Sequence, residues 1–478
     1  MRFCIVRRYF VVITAEQVQS FLGSSSVQKR MKKLSVVEAD GKTRLDHVID
    51  GYLKKDKKRV KDVPYQILLS SFPSFAKVDK EEFKTILETP FYRKALNNIV
   101  KSVPEMGLHA PQNFVAPILV VWNFTNICNL KCVHCYQDAH KALPDELTLE
   151  ERLRVVDDMV KNHVATLAIS GGEPLMCPDF WEVAKYAHDN GLYLSVATNG
   201  TLITEEVAER LAEIVDYVEI SVDSVNPEVH DAFRGGKGLW DKAVTGIKNC
   251  VATGKLDVGM AATITRRNFD ELDDLINLAT DLGCGSFYAF NYIPAGRGKN
   301  IEQEDLTPEM REEMLHKLHT ALLDETKCST MSTCTQYGRY CIEHAPDETL
   351  VLNHYGAFKG QQAKMLCEYI GGCGAGRLYC AFQPNGKVTP CVFINKIVGD
   401  LRENSLEEIW MNSDMMKDFR NRELLKSHCN ECQNRTLCGG CRARAYGYFG
   451  DHLAPDPGCI YNQKAWDELV EEINKEQA

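Results

Sequence analysis

Thr125-Asn126-Ile127-Cys128-Asn129-Leu130-Lys131-Cys132-Val133-His134-Cys135-Tyr136 places three cysteines at the spacing C-x3-C-x2-C. Three thiolates on one short loop can hold three corners of an iron–sulfur cube. No fourth cysteine lies near, since the next is Cys177. A cube gripped by three cysteines keeps one iron open to an outside ligand, and an open position marks a catalytic metal rather than a structural one. The run before the loop, Ile118-Leu119-Val120-Val121-Trp122-Asn123, is apolar and partly β-branched, as a strand buried on both faces requires. A metal loop at the carboxyl end of such a strand sits where α/β folds carry their chemistry. The competing readings of these cysteines are a zinc or cluster site closed by a remote cysteine, and a disulfide.

Downstream, strand and helix patterns alternate, which argues for a parallel sheet with right-handed crossovers. Strands are expected at 118–123, 165–170, 193–198, 217–222, 257–264 and 286–292. Thr148 with Glu151 forms a capping box that opens one intervening helix. Others are expected over about 178–190, stopped by Gly191, and about 239–253. The second strand runs into Gly171-Gly172-Glu173-Pro174, where glycines allow close backbone approach and proline fixes the turn. Asn199, Ser221 and Asp223 fall at the carboxyl ends of the third and fourth strands, where they serve a ligand or cap the next helix.

The cysteine loop, with Gly171-Gly172-Glu173-Pro174 one βα unit later, resembles the radical S-adenosylmethionine (SAM) superfamily. That family often carries an aromatic residue just before the third cysteine; here the place is His134, and Tyr136 follows the cysteine. The resemblance implies a partial (β/α)6, TIM-like barrel over residues 115–300. It implies a [4Fe-4S] cluster on Cys128, Cys132 and Cys135 whose open iron binds SAM. Reductive cleavage of SAM would then give a 5′-deoxyadenosyl radical that abstracts hydrogen from a substrate C–H bond. Tyr136, Gly171, Gly172, Glu173 and Pro174 would lie at the cofactor, with Asn199, Ser221 and Asp223 toward the ribose. Arg266 would pair with the SAM carboxylate or lie in a solvated loop.

The C-terminal segment holds Cys373-x6-Cys380-x10-Cys391, then Cys429-x2-Cys432-x5-Cys438-x2-Cys441, then Cys459. Pro384-Asn385-Gly386 reads as a hairpin turn between Cys380-Ala381-Phe382 and Val388-Thr389-Pro390-Cys391. Eight thiolates divide into two sets of four, enough for two cubes or two zinc sites. The pattern resembles the SPASM extension of radical SAM maturases, although Cys438-x2-Cys441 is one residue tighter than the commonest spacing. That resemblance implies one auxiliary cluster on Cys373, Cys380, Cys391 and Cys441, and another on Cys429, Cys432, Cys438 and Cys459, making three [4Fe-4S] clusters in all. Cys367 is near enough to Cys373 to be an alternative ligand. Cys328, Cys334 and Cys341 match no cluster spacing and read as buried thiols; Cys334 is the candidate among them for a catalytic hydrogen-atom donor.

The chain divides into a basic, mainly helical extension (1–110), the core (115–300), a connecting region (301–370), the SPASM segment (371–462) and a C-terminal helix or tail (463–478). Residues 1–110 carry 21 Lys+Arg against 12 Asp+Glu, a net +9, which leaves −19 for the rest of a chain of net charge −10. The densest basic run, Lys54 to Lys61, reads as a solvated face, or as a surface for anionic lipid or an acidic leader peptide. Aromatics are not interleaved with it and no nucleic-acid motif appears, so nucleic acid is not expected as a partner. The longest apolar run, Phe114 to Trp122, is far short of a membrane span, no secretory signal is evident, and C-x2-C pairs favour metal over disulfides; a cytoplasmic location is expected. The expected activity is a radical SAM oxidoreductase or maturase acting on a peptide or protein. A haem-precursor tetrapyrrole and a membrane isoprenoid lipid are the alternatives, and an iron–sulfur electron-transfer module is the reading from another class. A one-electron reductant such as ferredoxin or flavodoxin would be the redox partner, with peripheral membrane contact through the basic extension as a further expectation.

Overall fold

In the computed structural model, residue 20 and residues 22–54, 59–76, 79–344, 351–353, 356–358 and 368–476 are described. Strands β1 (Leu119–Asn123), β2 (Thr166–Ser170), β3 (Tyr193–Thr198), β4 (Tyr217–Ser221), β5 (Asp257–Ile264) and β6 (Ser286–Asn291) run parallel in chain order. Each matches its expected span to within a residue or two. A seventh parallel strand, β7 (Ser329–Ser332), extends the sheet beyond β6 and was not expected from its small polar residues. After a two-stranded antiparallel pair, β8 (Val351–Asn353) and β9 (Gly356–Phe358), the C-terminal segment adds β10 (Tyr379–Phe382), β11 (Lys387–Thr389) and β12 (Gly399–Asp400). β10 pairs parallel with β1 and antiparallel with β11, so the expected hairpin forms and continues the barrel sheet.

Alternation along each strand separates two faces. Val120, Trp122, Ile169, Val196, Ile220 and Phe287 are fully buried in one apolar cluster beneath the surrounding helices. Each such side chain withdrawn from water is worth about 1.5–3 kcal/mol, which explains why β-branched and aromatic residues occupy these places. The opposite face looks into the barrel lumen: Asn123 and Ser170 are register partners there, and Glu219 lies between Ala197 and Gly259, which in turn pairs with Ser286. The helix Leu149–Lys161 begins at Thr148 with both halves of the capping box made.

The described residues ahead of the barrel form helices, including Ser25–Leu34, Arg44–Tyr52 and Pro90–Met106, around an apolar cluster of their own that contains Met31, Ile49 and Val103. Pro90–Met106 docks on the barrel: the Phe91 ring lies 5.0 Å from Tyr193 at the start of β3. In the basic run, residues 55–58 lie outside the described residues. Arg59 pairs with Glu38 and Asp62, and Lys61 with Glu38, so those cations are neutralised locally.

Candidate functional site

The cysteine loop leaves the end of β1 and is fastened on three sides. Gly172 and Glu173 donate their N–H groups to Thr125 O (2.8 Å) and Ile127 O (2.7 Å). A Cβ on Gly172 would stand 2.0 Å from Ile127 O, and Gly171 has φ +123° with Thr125 O and Phe124 N under 3 Å from its own Cβ position. Only glycines let the turn lie this close to the loop. With these N–H groups committed, the turn has carbonyl oxygens to offer a ligand, the acceptors an ammonium needs. Pro174 opens a short 3-10 turn, Pro174–Met176. Glu173 is fully buried and binds the end of β3: its carboxylate accepts from Thr198 Oγ1 (2.8 Å), Asn199 N (2.9 Å) and Leu175 N (3.3 Å).

The second fastening comes from the loop after β6. Gly296 has φ +53°, and its Cβ position is 2.4 Å from Tyr136 O, so a side chain would expel the loop. Arg297 donates its backbone N–H to Cys135 O (2.9 Å), its Nε to Cys132 O (2.9 Å) and its Nη1 to Asp138 (2.7 Å). The third is the end of the helix Pro227–Arg234, where Phe233 O accepts Val133 N–H at 3.0 Å and the Phe233 ring stacks on His134 at 4.1 Å. Burial pushes the His134 imidazole down to about 3, so the ring is neutral. Neither Arg234 nor Arg297 is marked by a motif in the sequence.

Cys128, Cys132 and Cys135 pack together with Leu130 and Leu239. Burial raises the Cys128 thiol to about 11, and Leu130 N–H points at its sulfur from 3.5 Å. Arg234 Nη1 lies 3.9 Å from Cys132 Sγ. The cysteines are unbridged, and among the described residues no three His, Cys, Asp or Glu side chains converge closely enough to chelate a single metal ion. The donor set is therefore three free thiols on one loop, a backbone N–H aimed at one sulfur and a guanidinium beside another. These are groups that suit a thiolate-bound iron–sulfur cluster.

The other expected cofactor contacts divide. Tyr136 reaches into the barrel, its hydroxyl donating to Asn123 Oδ1 (2.8 Å) and lying 3.1 Å from Ser170 Oγ. Ser221 is on the lumen face at the carboxyl end of β4. Asn199 is committed to neighbours: its Nδ2 donates to Asn129 (2.9 Å), and its Oδ1 accepts from Thr201 N (3.0 Å) and Oγ1 (2.6 Å). Asp223 accepts from Thr263 N (2.9 Å) and Arg234 Nε (2.5 Å), which leaves little of it for a ribose. Burial opposes the Asp223 charge, but the Arg234 guanidinium beside it outweighs that and holds the carboxyl down to about 2. Arg266 is exposed, with its Nε on the carbonyl of Asp305 at 2.8 Å.

Of the C-terminal cysteines, Cys373, Cys391 and Cys441 share one cluster with Tyr379, Phe393 and Ile293. Tyr379 donates its hydroxyl to Cys391 Sγ at 2.8 Å. Cys380 is not brought to them. It is next to Tyr379 on β10, so alternation turns it to the opposite face, where it is fully buried in the main apolar core as the register partner of Val120. As a ligand to the Cys373, Cys391 and Cys441 set, Cys380 does not fit; Cys367 lies outside the described residues. Cys429 accepts from Asp456 N (3.5 Å) and Arg442 Nη2 (3.7 Å), Cys438 from Gly440 N (3.4 Å) and Cys432 from Asn434 N (3.4 Å). Cys459 lies close enough to Cys438 for their charges to interact. Cys373 N–H donates to Cys438 O at 3.2 Å, knitting the two groups together. The Tyr136 and Phe393 rings are 4.9 Å apart, so the first auxiliary group abuts the cysteine loop. Cys334 is 2% exposed and donates to Gln336 Oε1 at 2.7 Å, while Gln336 in turn donates to Asp456. Cys328 and Cys341 are likewise buried.

A buried ion network clamps the C-terminal segment to the barrel. Asp305 bridges Arg311 and Arg444 at 2.8 Å each, Arg444 reaches Asp456 at 3.2 Å, and all four side chains are 0–1% exposed.

Comparison with known proteins agrees with this architecture. Residues 122–279 match the model of the radical SAM superfamily, and residues 373–434 match SPASM, an iron–sulfur cluster-binding domain. The AdoMet-dependent heme synthase of Methanosarcina barkeri is 35% identical over 72% of this chain and 97% of its own length. Mycofactocin maturase MftC of Mycobacterium tuberculosis is 33% identical over 75% of this chain and 86% of its own. Among solved structures, Streptococcus suis SuiB bound to its precursor peptide SuiA has a TM-score of 0.60 at 16% identity, covering 80% of this chain and 81% of that one. Its matched domains and its relatives place the chain in the radical SAM superfamily, as an enzyme with a C-terminal SPASM iron–sulfur domain.

Proposed function

We propose that the protein cleaves SAM reductively at a [4Fe-4S] cluster on Cys128, Cys132 and Cys135 and directs the resulting radical at a C–H bond of a peptide substrate. The observation that carries the site assignment is the three-thiol loop locked against the Gly171–Pro174 turn at the carboxyl mouth of the barrel. When bound, the cluster and SAM supply an electron and a carbon-centred radical. The chain's own residues hold and shield them: Gly171 and Gly172 bring carbonyl oxygens to the mouth, Arg297 pins the loop, and Ser221 and Tyr136 present hydroxyls to the lumen. Two auxiliary clusters would bring the total to three. One would rest on Cys373, Cys391 and Cys441, and the other on Cys429, Cys432, Cys438 and Cys459. Contact of Phe393 with Tyr136 gives the first a short route for an electron leaving the substrate.

The lumen favours a substrate of low negative charge. None of the lumen-facing strand positions from β1 to β7 is Lys or Arg. Around the mouth, Arg234 and Arg297 are paired with Asp223 and Asp138, and Arg266 is tied to the carbonyl of Asp305. Inside the lumen a polycarboxylate would meet no cation from these strand positions, whereas an amide-rich chain would find hydroxyls and a carboxyl. The second reading is a tetrapyrrole, favoured by the identity to the Methanosarcina barkeri heme synthase over nearly all of that protein. Anaerobic reconstitution with dithionite and SAM should yield 5′-deoxyadenosine, accelerated by a peptide encoded beside the gene and not by a haem precursor such as decarboxylated sirohaem. Formation of 5′-deoxyadenosine by Cys132→Ala would overturn the site; acceleration by the macrocycle alone would overturn the peptide.

A further inference from the structure

One buried cation at the cysteine loop is not accounted for by loop architecture alone. Arg234 ends the helix Pro227–Arg234, and Gly235, at φ +75°, terminates that helix against the loop: a Cβ there would stand 2.6 Å from Lys131 O. With Val133 N–H on Phe233 O, the helix end is fixed to the loop on both sides of Cys132. That fixation delivers the Arg234 guanidinium, 11% exposed, to Cys132 Sγ through Nη1 at 3.9 Å and to Asp223 through Nε at 2.5 Å. Asp223 is itself held by Thr263 N–H at 2.9 Å. The result is a chain from carboxylate to guanidinium to cysteine sulfur, with one guanidinium N–H directed at the sulfur.

We propose that Arg234 sets the reduction potential of the cluster on Cys128, Cys132 and Cys135 through Cys132 Sγ, and that Asp223 is a positioning residue that aims Arg234 and offsets part of its charge. Hydrogen bonds to ligating sulfurs and nearby net charge are established determinants of cluster potential. Reduction adds one negative charge to the cluster, so a cation beside a ligating sulfur stabilises the reduced form and raises the potential. Removing the cation lowers it. Neutralising Asp223 unmasks the cation and raises the potential further. Opposite directions from two adjacent residues separate this role from simple support of the fold, since loss of packing at either would disturb the cluster in the same sense.

The proposal rests on the cluster assignment made above. The test is a mediator-poised dithionite titration of the anaerobically reconstituted full-length enzyme, read by electron paramagnetic resonance on the signal that changes when SAM is added. Arg234→Gln should shift the midpoint negative by at least tenfold in the reduction equilibrium, about 59 mV for one electron. Arg234→Lys should restore most of that shift, and Asp223→Asn should move the midpoint positive. Shifts of the same sign in Arg234→Gln and Asp223→Asn, or no shift in either, overturn the proposal. Should Arg234→Gln fail to assemble the cluster, Asp223→Asn decides: a positive shift supports it and an unchanged midpoint refutes it. A SAM-sensitive signal that survives in Cys132→Ala removes the cluster assignment itself, an outcome distinct from any change in midpoint.

Discussion

Replacing Glu219 by glutamine should change how the protein's stability depends on pH. Glu219 lies on the lumen face of β4 between Ala197 and Gly259, and among the described residues it makes no hydrogen bond or ion pair. Burial without a counter-charge pushes its carboxyl from 4.5 up to about 8. In the folded chain the proton therefore stays on up to about pH 8, whereas the unfolded chain releases it near 4.5. The unfolded state binds fewer protons between these values, so this group's contribution is fully present below pH 4.5 and is lost as pH rises through about 8. At about 1.4 kcal/mol per pH unit, the wild type should lose about 2 kcal/mol between pH 6 and pH 8 from this group. Glu219→Gln is neutral in both states and should escape the loss. Anaerobic urea unfolding followed by circular dichroism at the two pH values measures the difference directly, and infrared difference spectra should show a protonated-carboxyl stretch absent from the variant. Stability curves of wild type and variant that run parallel from pH 6 to pH 8 would refute the reasoning.

Other perturbations test other parts. Arg444→Met takes the buried Asp456 carboxylate's ion pair away and leaves Asp305 with Arg311 alone, and should cost about 3–5 kcal/mol in urea unfolding. Cys380→Ser should leave the iron content of the reconstituted enzyme unchanged, whereas Cys391→Ser should lower it, since the first thiol faces the apolar core and the second the auxiliary group. Gly172→Ala drives a Cβ to within 2.0 Å of Ile127 O and should weaken SAM binding at least tenfold by equilibrium dialysis while leaving the C-terminal iron in place.

Much of the barrel was legible because each of its first six strands is a short apolar run followed by a cap or a glycine stop. β7 was not: Ser329-Thr330-Met331-Ser332 carries no apolar run, and it becomes a strand because β6 presents an open edge. The packing of Cys128, Cys132 and Cys135 together was legible from spacing alone, since C-x3-C-x2-C keeps its thiols on one short loop. Cys380 was misplaced because spacing along the chain ignores which face of a strand a side chain takes; Tyr379, its neighbour, holds the position facing Cys391. Asp223 and Asn199 sit at the expected strand ends, yet their acceptors are taken by Arg234, Thr263 and Thr201, partners that no local pattern announces. Arg297 escaped notice because its targets, the Cys132 carbonyl and the Asp138 carboxylate, lie 165 and 159 residues away in sequence.

The pairing of β10 with β1 makes the C-terminal segment part of the barrel wall. If both cysteine groups carry clusters as proposed, the distance an electron crosses between them is fixed by this ladder of peptide hydrogen bonds. Rates of internal electron movement should then be the same in every turnover, and any gating must fall to the loops at the mouth or to the arrival of the substrate.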